Sequence, residues 1–213
     1  MNKPKIGVIV VHEWWGLNDY TRSRVKQLTD LGYAAIAADM YGNGKTANTA
    51  SEAQALMMAA TAEPEKMHAR FQEAKTQLEK TSGLSPNHIY AIGYCFGGAV
   101  VLNQARRGTH LAGVASFHGL LDTETPAQPG KVKAKVFVAT GGADPMVTPE
   151  QTAAFVQEMQ SAGVAFELHS YPGVKHAFTN PAATENGKKY GIPLAYDAHA
   201  DKASWEALLK FMQ

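Results

Sequence analysis

The chain has 213 residues, 45% of them apolar and 18% charged, with a formal net charge of +1. That length suits one domain, 1–213, with its own core, and nothing in so balanced a charge argues for the basic stripe of a nucleic-acid-binding surface. No apolar run spans a bilayer, and residues 6–11 are too short for a secretory h-region and lack its cleavage site, so the expectation is a cytoplasmic protein without membrane association; the sequence does not fix the oligomeric state, a monomer being one reading.

Residues 6–11 form a continuous β-branched run, the pattern of a strand buried on both faces in a parallel sheet. Val25, Leu28 and Leu31 then fall at helical spacing, and Gly32 serves as a C-cap. Residues 33–38 predict a second buried strand, stopped at Asp39. Residues 49–81 are rich in Ala, Met, Glu, Gln and Lys and predict helix, divided at Pro64. A third strand over 88–92 leads to a helix from Phe96 to Arg107, ended by Gly108. A fourth strand covers 112–117 and a fifth 135–140. Between them, residues 122–133 carry Pro126, Pro129 and Gly130 and read as a surface loop. Lys131, Lys133 and Lys135 read as a solvated strand edge. Thr148-Pro149-Glu150-Gln151 sets a cap residue, a proline at the first helical position and a glutamine at N3, so a helix begins there. Residues 165–171 predict a sixth strand and 200–212 a closing amphipathic helix with Trp205, Leu208, Leu209 and Phe211. Strands alternating with helices predict an α/β fold, a mostly parallel central sheet with helices on both faces. Ligands of such sheets bind beyond the carboxyl ends of the strands.

The residues just after the strands therefore carry the chemistry. Gly93-Tyr94-Cys95-Phe96-Gly97-Gly98 sits between the third strand and a helix. It is the Gly-x-nucleophile-x-Gly elbow of α/β-hydrolases with cysteine in the nucleophile's place. A lone cysteine is most often a small buried hydrophobe, but here strand, flanking glycines and helix argue for a nucleophile. The helix N-terminus behind it favours a thiolate. A thiol needs a base, and the base an orienting acid; in this fold the order is nucleophile, acid, histidine. Asp144, in Gly141-Gly142-Ala143-Asp144-Pro145, follows the fifth strand. His176, in Pro172-Gly173-Val174-Lys175-His176, follows the sixth. Taken alone, Asp144 suits an Asx turn and His176 a satisfied loop histidine; their types, order and positions together favour a triad. His12, His118 and His169 are the rival bases. His12-Glu13-Trp14-Trp15-Gly16 follows the first strand, where this fold draws one oxyanion donor, so the backbone amides of Trp14 and Phe96 are the expected pair. Glu13 reads either as a carboxylate beside the thiol or as a loop salt bridge. Trp14, Trp15, Tyr41, Phe96, Met146 and Phe178 are expected to line a compact apolar pocket, with His118 at its mouth.

These motifs, with Asp39-Met40-Tyr41-Gly42 and His176-Ala177-Phe178, resemble the dienelactone hydrolase family over nearly the whole chain. The resemblance implies an α/β-hydrolase fold and a Cys95–His176–Asp144 triad. It also implies that Glu13 pairs with the resting thiol until substrate displaces it. Family members acting on true dienelactones hold the substrate carboxylate with arginines. One of these follows shortly after the catalytic histidine, where this chain reads Ala177-Phe178-Thr179-Asn180; the segment near residues 51–58 lacks one too. That departure favours small neutral esters or lactones, since a charged substrate would lose its bidentate anchor. Many relatives also begin with a β-hairpin ahead of the first strand, whereas this chain starts close to that strand.

The expected activity is hydrolysis of a small ester or lactone through an acyl-thioester. The alternatives are a strict dienelactone (carboxymethylenebutenolide) hydrolase, a thioesterase or acyl transferase, and a non-catalytic ligand binder. No cofactor fingerprint follows the first strand. Asp197, His199 and Asp201 read as a solvated cluster rather than a metal site.

Overall fold

A computed structural model describes residues 3–213. The first strand, β1 (Gly7–Val11), is buried along its length because its two faces meet different layers. Val8 and Val10 pack with Leu28, Ala200, Leu208 and Phe211, while Ile9 and Val11 pack with Phe71, Leu78, Val101 and Phe155. Alternation along a strand sends successive side chains to opposite faces, so an unbroken apolar run fits a sheet covered twice.

The helices supplying those partners are α1 (Asp19–Asp30) and α7 (Ala198–Phe211) on one face. On the other face lie α3 (Pro64–Ser82), α4 (Phe96–Arg106) and α5 (Pro149–Ser161). Helix α2 (Ala50–Thr61) packs chiefly on α3, and Pro64 separates the two, as the sequence predicts. The remaining strands are β2 (Ala34–Ala38), β3 (Ile89–Tyr94), β4 (Gly113–Phe117), β5 (Lys135–Gly141) and β6 (Phe166–Tyr171). They form a six-stranded sheet in the order β2-β1-β3-β4-β5-β6, with every pair parallel. The chain steps from β1 outward to β2 and returns to β3 on β1's other side. The order therefore reverses between β1 and β3, and a crevice opens at their carboxyl ends. The loop carrying Glu13 and the turn carrying Cys95 both start there.

Two differences from the sequence reading stand out. A short helix, α6 (Ala183–Tyr190), lies where no element was expected. Asp201 is not a free solvated carboxylate, because it pairs with the buried guanidinium of Arg24 from α1. Asp197 is the N-cap of α7, accepting the Ala200 N–H at 2.9 Å.

Candidate active site

Cys95 is the only residue between β3 and α4. It holds φ 53° and ψ −116°, a conformation that L residues rarely adopt. The neighbours enforce it. A Cβ on Gly93 would lie 2.0 Å from the Gly97 carbonyl oxygen, and one on Gly97 would lie 2.4 Å from that of Val11. Only glycine lets strand, turn and helix approach this closely. The Cys95 N–H is shared between the Phe117 carbonyl at 2.9 Å and Nδ1 of His118 at 3.1 Å. The thiol is left half-buried at the head of α4.

Asp144 and His176 arrive on adjoining loops. Gly141, at the end of β5, lies so close to the chain that a Cβ there would stand 2.4 Å from the Val174 carbonyl oxygen. Nδ1 of His176 meets Oδ2 of Asp144 at 2.7 Å, and both groups are buried. The other Asp144 oxygen accepts the Met146 N–H at 2.8 Å, so an Asx turn and an acid–histidine pair coexist. Burial alone would lower His176, but the charge of Cys95 and the bond to Asp144 outweigh it and carry the imidazole up to about 10. Its Nε2 is buried, makes no hydrogen bond of ordinary geometry among the described residues, and has Cys95 as its neighbour, which raises the ring. The backbone amides of Trp14 and Phe96 form no backbone hydrogen bond among those residues either.

The rival histidines are occupied. Nδ1 of His12 faces the Glu13 carbonyl and must donate, so Nε2 accepts the Met40 N–H at 3.1 Å. Burial pushes this neutral ring down to about 4. His118 accepts from Cys95 at Nδ1, so its Nε2–H donates to Thr179 Oγ1 at 2.8 Å. Burial holds it well below the usual histidine range. His118 therefore braces the elbow from beneath and does not line the pocket mouth. Phe178 is likewise fully buried, packed on His118 and Tyr171, and is core rather than pocket wall. Trp15 is 7% exposed and lies against Trp14 and Tyr190. Met146 packs beside Ala177, Ala183 and Leu194. Tyr41 stays near the thiol: its hydroxyl donates to the Trp14 carbonyl at 2.9 Å, and its ring lies 5.5 Å from that of Phe96. A cavity of about 130 Å³ backs onto Tyr41, but Lys45 and Arg70 line it and none of Cys95, Asp144 and His176 does.

Glu13 is 2% exposed, yet it meets Nδ2 of Asn180 at 2.6 Å rather than the thiol. Burial raises it to about 7, against the Asn180 bond and the charges of His176 and Arg24. Sequence reasoning missed Asn180, whose stretch was noted only for lacking arginine. It also missed Arg24, although Thr21, Arg24 and Leu28 share the buried face of α1. Arg24 donates to the Thr179 carbonyl at 2.8 Å and lies over the rings of Tyr20, Tyr94 and Trp205.

A parallel sheet with a strained strand–cysteine–helix turn at its switch point, flanked by an aspartate–histidine pair, defines an α/β-hydrolase. The chain belongs to the dienelactone hydrolase family, whose model matches residues 1–213, and it is a carboxylic ester hydrolase. Protein usf of Aquifex pyrophilus is 29% identical over 180 residues, covering 82% of this chain and 77% of that protein. The crystal structure of a dienelactone hydrolase-like promiscuous phosphotriesterase, P91, from metagenomic libraries shares 33% identity and superposes with a TM-score of 0.89. The match covers 100% of this chain and 87% of P91. The structure called m3DLH shares 31% identity over the same shares of the two chains, also at a TM-score of 0.89.

Proposed function

We propose that the protein hydrolyses small neutral esters or lactones through a Cys95–His176–Asp144 triad and an acyl-thioester. The observation that carries this reading is the buried His176–Asp144 pair at 2.7 Å with Nε2 left unpartnered, together with a cysteine held in the elbow conformation. The Cys95 thiolate attacks the carbonyl carbon and the carbonyl π pair moves onto oxygen, where the Trp14 and Phe96 amides donate to it. Collapse breaks the carbon–oxygen ester bond, and the leaving alkoxide takes the proton from Nε2 of His176. Neutral His176 then removes a proton from water as that water attacks the thioester. The second collapse expels the thiolate and leaves the carboxylic acid. Asp144 keeps Nδ1 protonated throughout, so Nε2 is the face that exchanges protons.

The deciding comparison is turnover of p-nitrophenyl acetate by the native protein and by Cys95→Ala. Turnover in the first and its loss in the second supports the reading; equal rates overturn it. His176→Ala should lower kcat/KM by at least roughly a thousandfold, in keeping with triad deletions elsewhere. The likeness to P91 recommends neutral phosphotriesters as a second substrate class in the same assay. An acyl-thioester substrate turned over faster than its oxygen analogue would favour the thioesterase alternative.

A further inference from the structure

The cavity of about 130 Å³ behind Tyr41 takes no part in the reaction proposed above. That is roughly ten times the space a single water needs, so a small molecule fits. Tyr41 is where the cavity touches the elbow: its ring packs on His12 and Phe96, and its hydroxyl is bound to the Trp14 carbonyl. The charge around the cavity is one-sided. Lys45, Lys66 and Arg70 line it against a single carboxylate, Glu63, which Lys66 takes at 3.1 Å. Neither Lys45 nor Arg70 forms an ion pair among the described residues. The acid nearest in the turn, Asp39, is occupied by the backbone. Its Oδ1 accepts the Tyr41 and Gly42 N–H groups at 3.0 and 2.8 Å, and its Oδ2 accepts that of Gly44 at 2.8 Å.

Arg70 is held in place. It is half-buried, and its Nη1 donates to the Met40 carbonyl at 2.6 Å. A Cβ on Gly42 would lie 2.5 Å from Nη2, so the guanidinium rests against the bare backbone of that turn. Nη1 is its only nitrogen that donates within the described residues, which leaves the Nε–Nη2 edge open. A fixed planar fork of this kind grips oxyanions through paired hydrogen bonds. The remaining lining is apolar, with Leu56, Ala59 and Ala60 from α2 and Met67 from α3.

We infer that this cavity binds a small organic anion of the phosphate-monoester class, with the phosphate on Arg70 and Lys45 and the apolar body against Leu56, Ala59 and Met67. Two features select that class. With Glu63 matched by Lys66, two cations remain, which suits a dianion better than a single carboxylate. The apolar lining rewards a carbon body that inorganic phosphate lacks. The occupant is distinct from the ester substrate, because none of Cys95, Asp144 and His176 lines the cavity. The inference therefore stands apart from the triad reading.

The test is calorimetric titration of the full chain, in low-salt buffer, with phenyl phosphate, inorganic phosphate and benzoate. Phenyl phosphate should bind saturably and more tightly than either of the others. Arg70→Gln should weaken it about tenfold or more, in keeping with the loss of a hydrogen bond to a charged group. Ala59→Phe changes an exposed residue that lines the cavity and leaves every charge in place, and it should erase the advantage over inorganic phosphate. Alkylating Cys95 with iodoacetamide should leave the affinity within about twofold, as for independent sites. Thermal melts check the fold of each variant; if Arg70→Gln melts early, Ala59→Phe decides. Absence of saturable binding overturns the inference, as does equal affinity for phenyl phosphate and inorganic phosphate. So does binding untouched by both substitutions, or lost on alkylation, which would place the probe at the elbow. Tighter binding of benzoate overturns the assignment to phosphate monoesters.

Discussion

At the scale of single residues, the site depends on backbones pressed closer than any side chain allows. A Cβ on Gly97 would meet not only Val11 but also the His12 carbonyl oxygen at 2.6 Å, and neither oxygen lies on a flexible side chain. Gly97→Ala should therefore cost at least the about 1–3 kcal/mol typical of overpacking, read as a lower urea midpoint. Activity should fall as well, because the same contact sets the distance between the loop after β1 and the elbow. The proposed triad could be picked out in the sequence because its types and spacing follow from the proposed reaction: an elbow needs small neighbours, a thiol a base, a base an acid. His118 and Phe178 were misassigned to the pocket because position after a strand says nothing about which way a side chain turns. His118 follows β4 with φ 41°, which folds it back under Cys95. Asn180 was illegible for another reason. Its partner lies 167 positions away in the chain, and no local pattern links an amide to so distant an acid.

At the scale of elements, legibility followed the source of each element's stability. Helix α5 carries its own start: Thr148 accepts from Gln151 N, and the Gln151 side chain returns to the Thr148 N–H at 3.0 Å. Thr148→Ala should lower stability by about 0.5–2 kcal/mol, measured by denaturant unfolding, with little change in kcat because α5 begins away from the elbow. Helix α6 has no such signal. It has no side-chain cap, contains Gly187, and buries only the small residues Ala183 and Gly187, which give a strand-and-helix pattern little apolar signal to follow. Its supports come from elsewhere: Asn180 at its start, and Thr184 Oγ1 accepting from Tyr196 N at 3.1 Å. An element held from outside cannot be read from its own residues.

At the scale of the whole molecule, the two helices that cover one face of the sheet are tied through charge as well as apolar packing. Arg24 and Asp201 join α1 to α7, with side-chain exposures of 6% and 17%. Asp201→Ala leaves a buried guanidinium without its counter-ion and should cost about 3–5 kcal/mol, seen as a large drop in Tm. The dependence of stability on pH between mild acid and mild alkali follows chiefly from Glu13, His12, His118 and His176. Glu13, raised to about 7 from 4.5 by burial, adds stability as pH falls through that window. His12, pushed by burial from 6.5 to about 4, removes stability as pH falls, as does His118, which burial holds well below the usual range, so both oppose Glu13 in mildly acid solution. His176 acts between neutral and alkaline pH, below the range of the buried tyrosines, which burial raises. Although burial would lower it, the Cys95 charge and Asp144 raise it from 6.5 to about 10, so its contribution is full below 6.5 and is lost as pH climbs toward 10. Melting temperature should fall between pH 7 and 10, and the slope should flatten in Cys95→Ala, which removes the sulfur charge. A slope unchanged by that substitution would count against the coupling of Cys95 to His176.

The exclusively parallel sheet has a kinetic corollary. Parallel neighbours cannot be joined by a hairpin, so every ladder here closes over a crossover connection. High mean sequence separation between contacts slows folding. Cys95, Asp144 and His176 follow three different strands, β3, β5 and β6, so no early-forming subset of the chain contains them together. On refolding from denaturant, ester turnover should return only with the slowest spectroscopic phase that reports the complete sheet, and it should lag behind any earlier gain of helical signal.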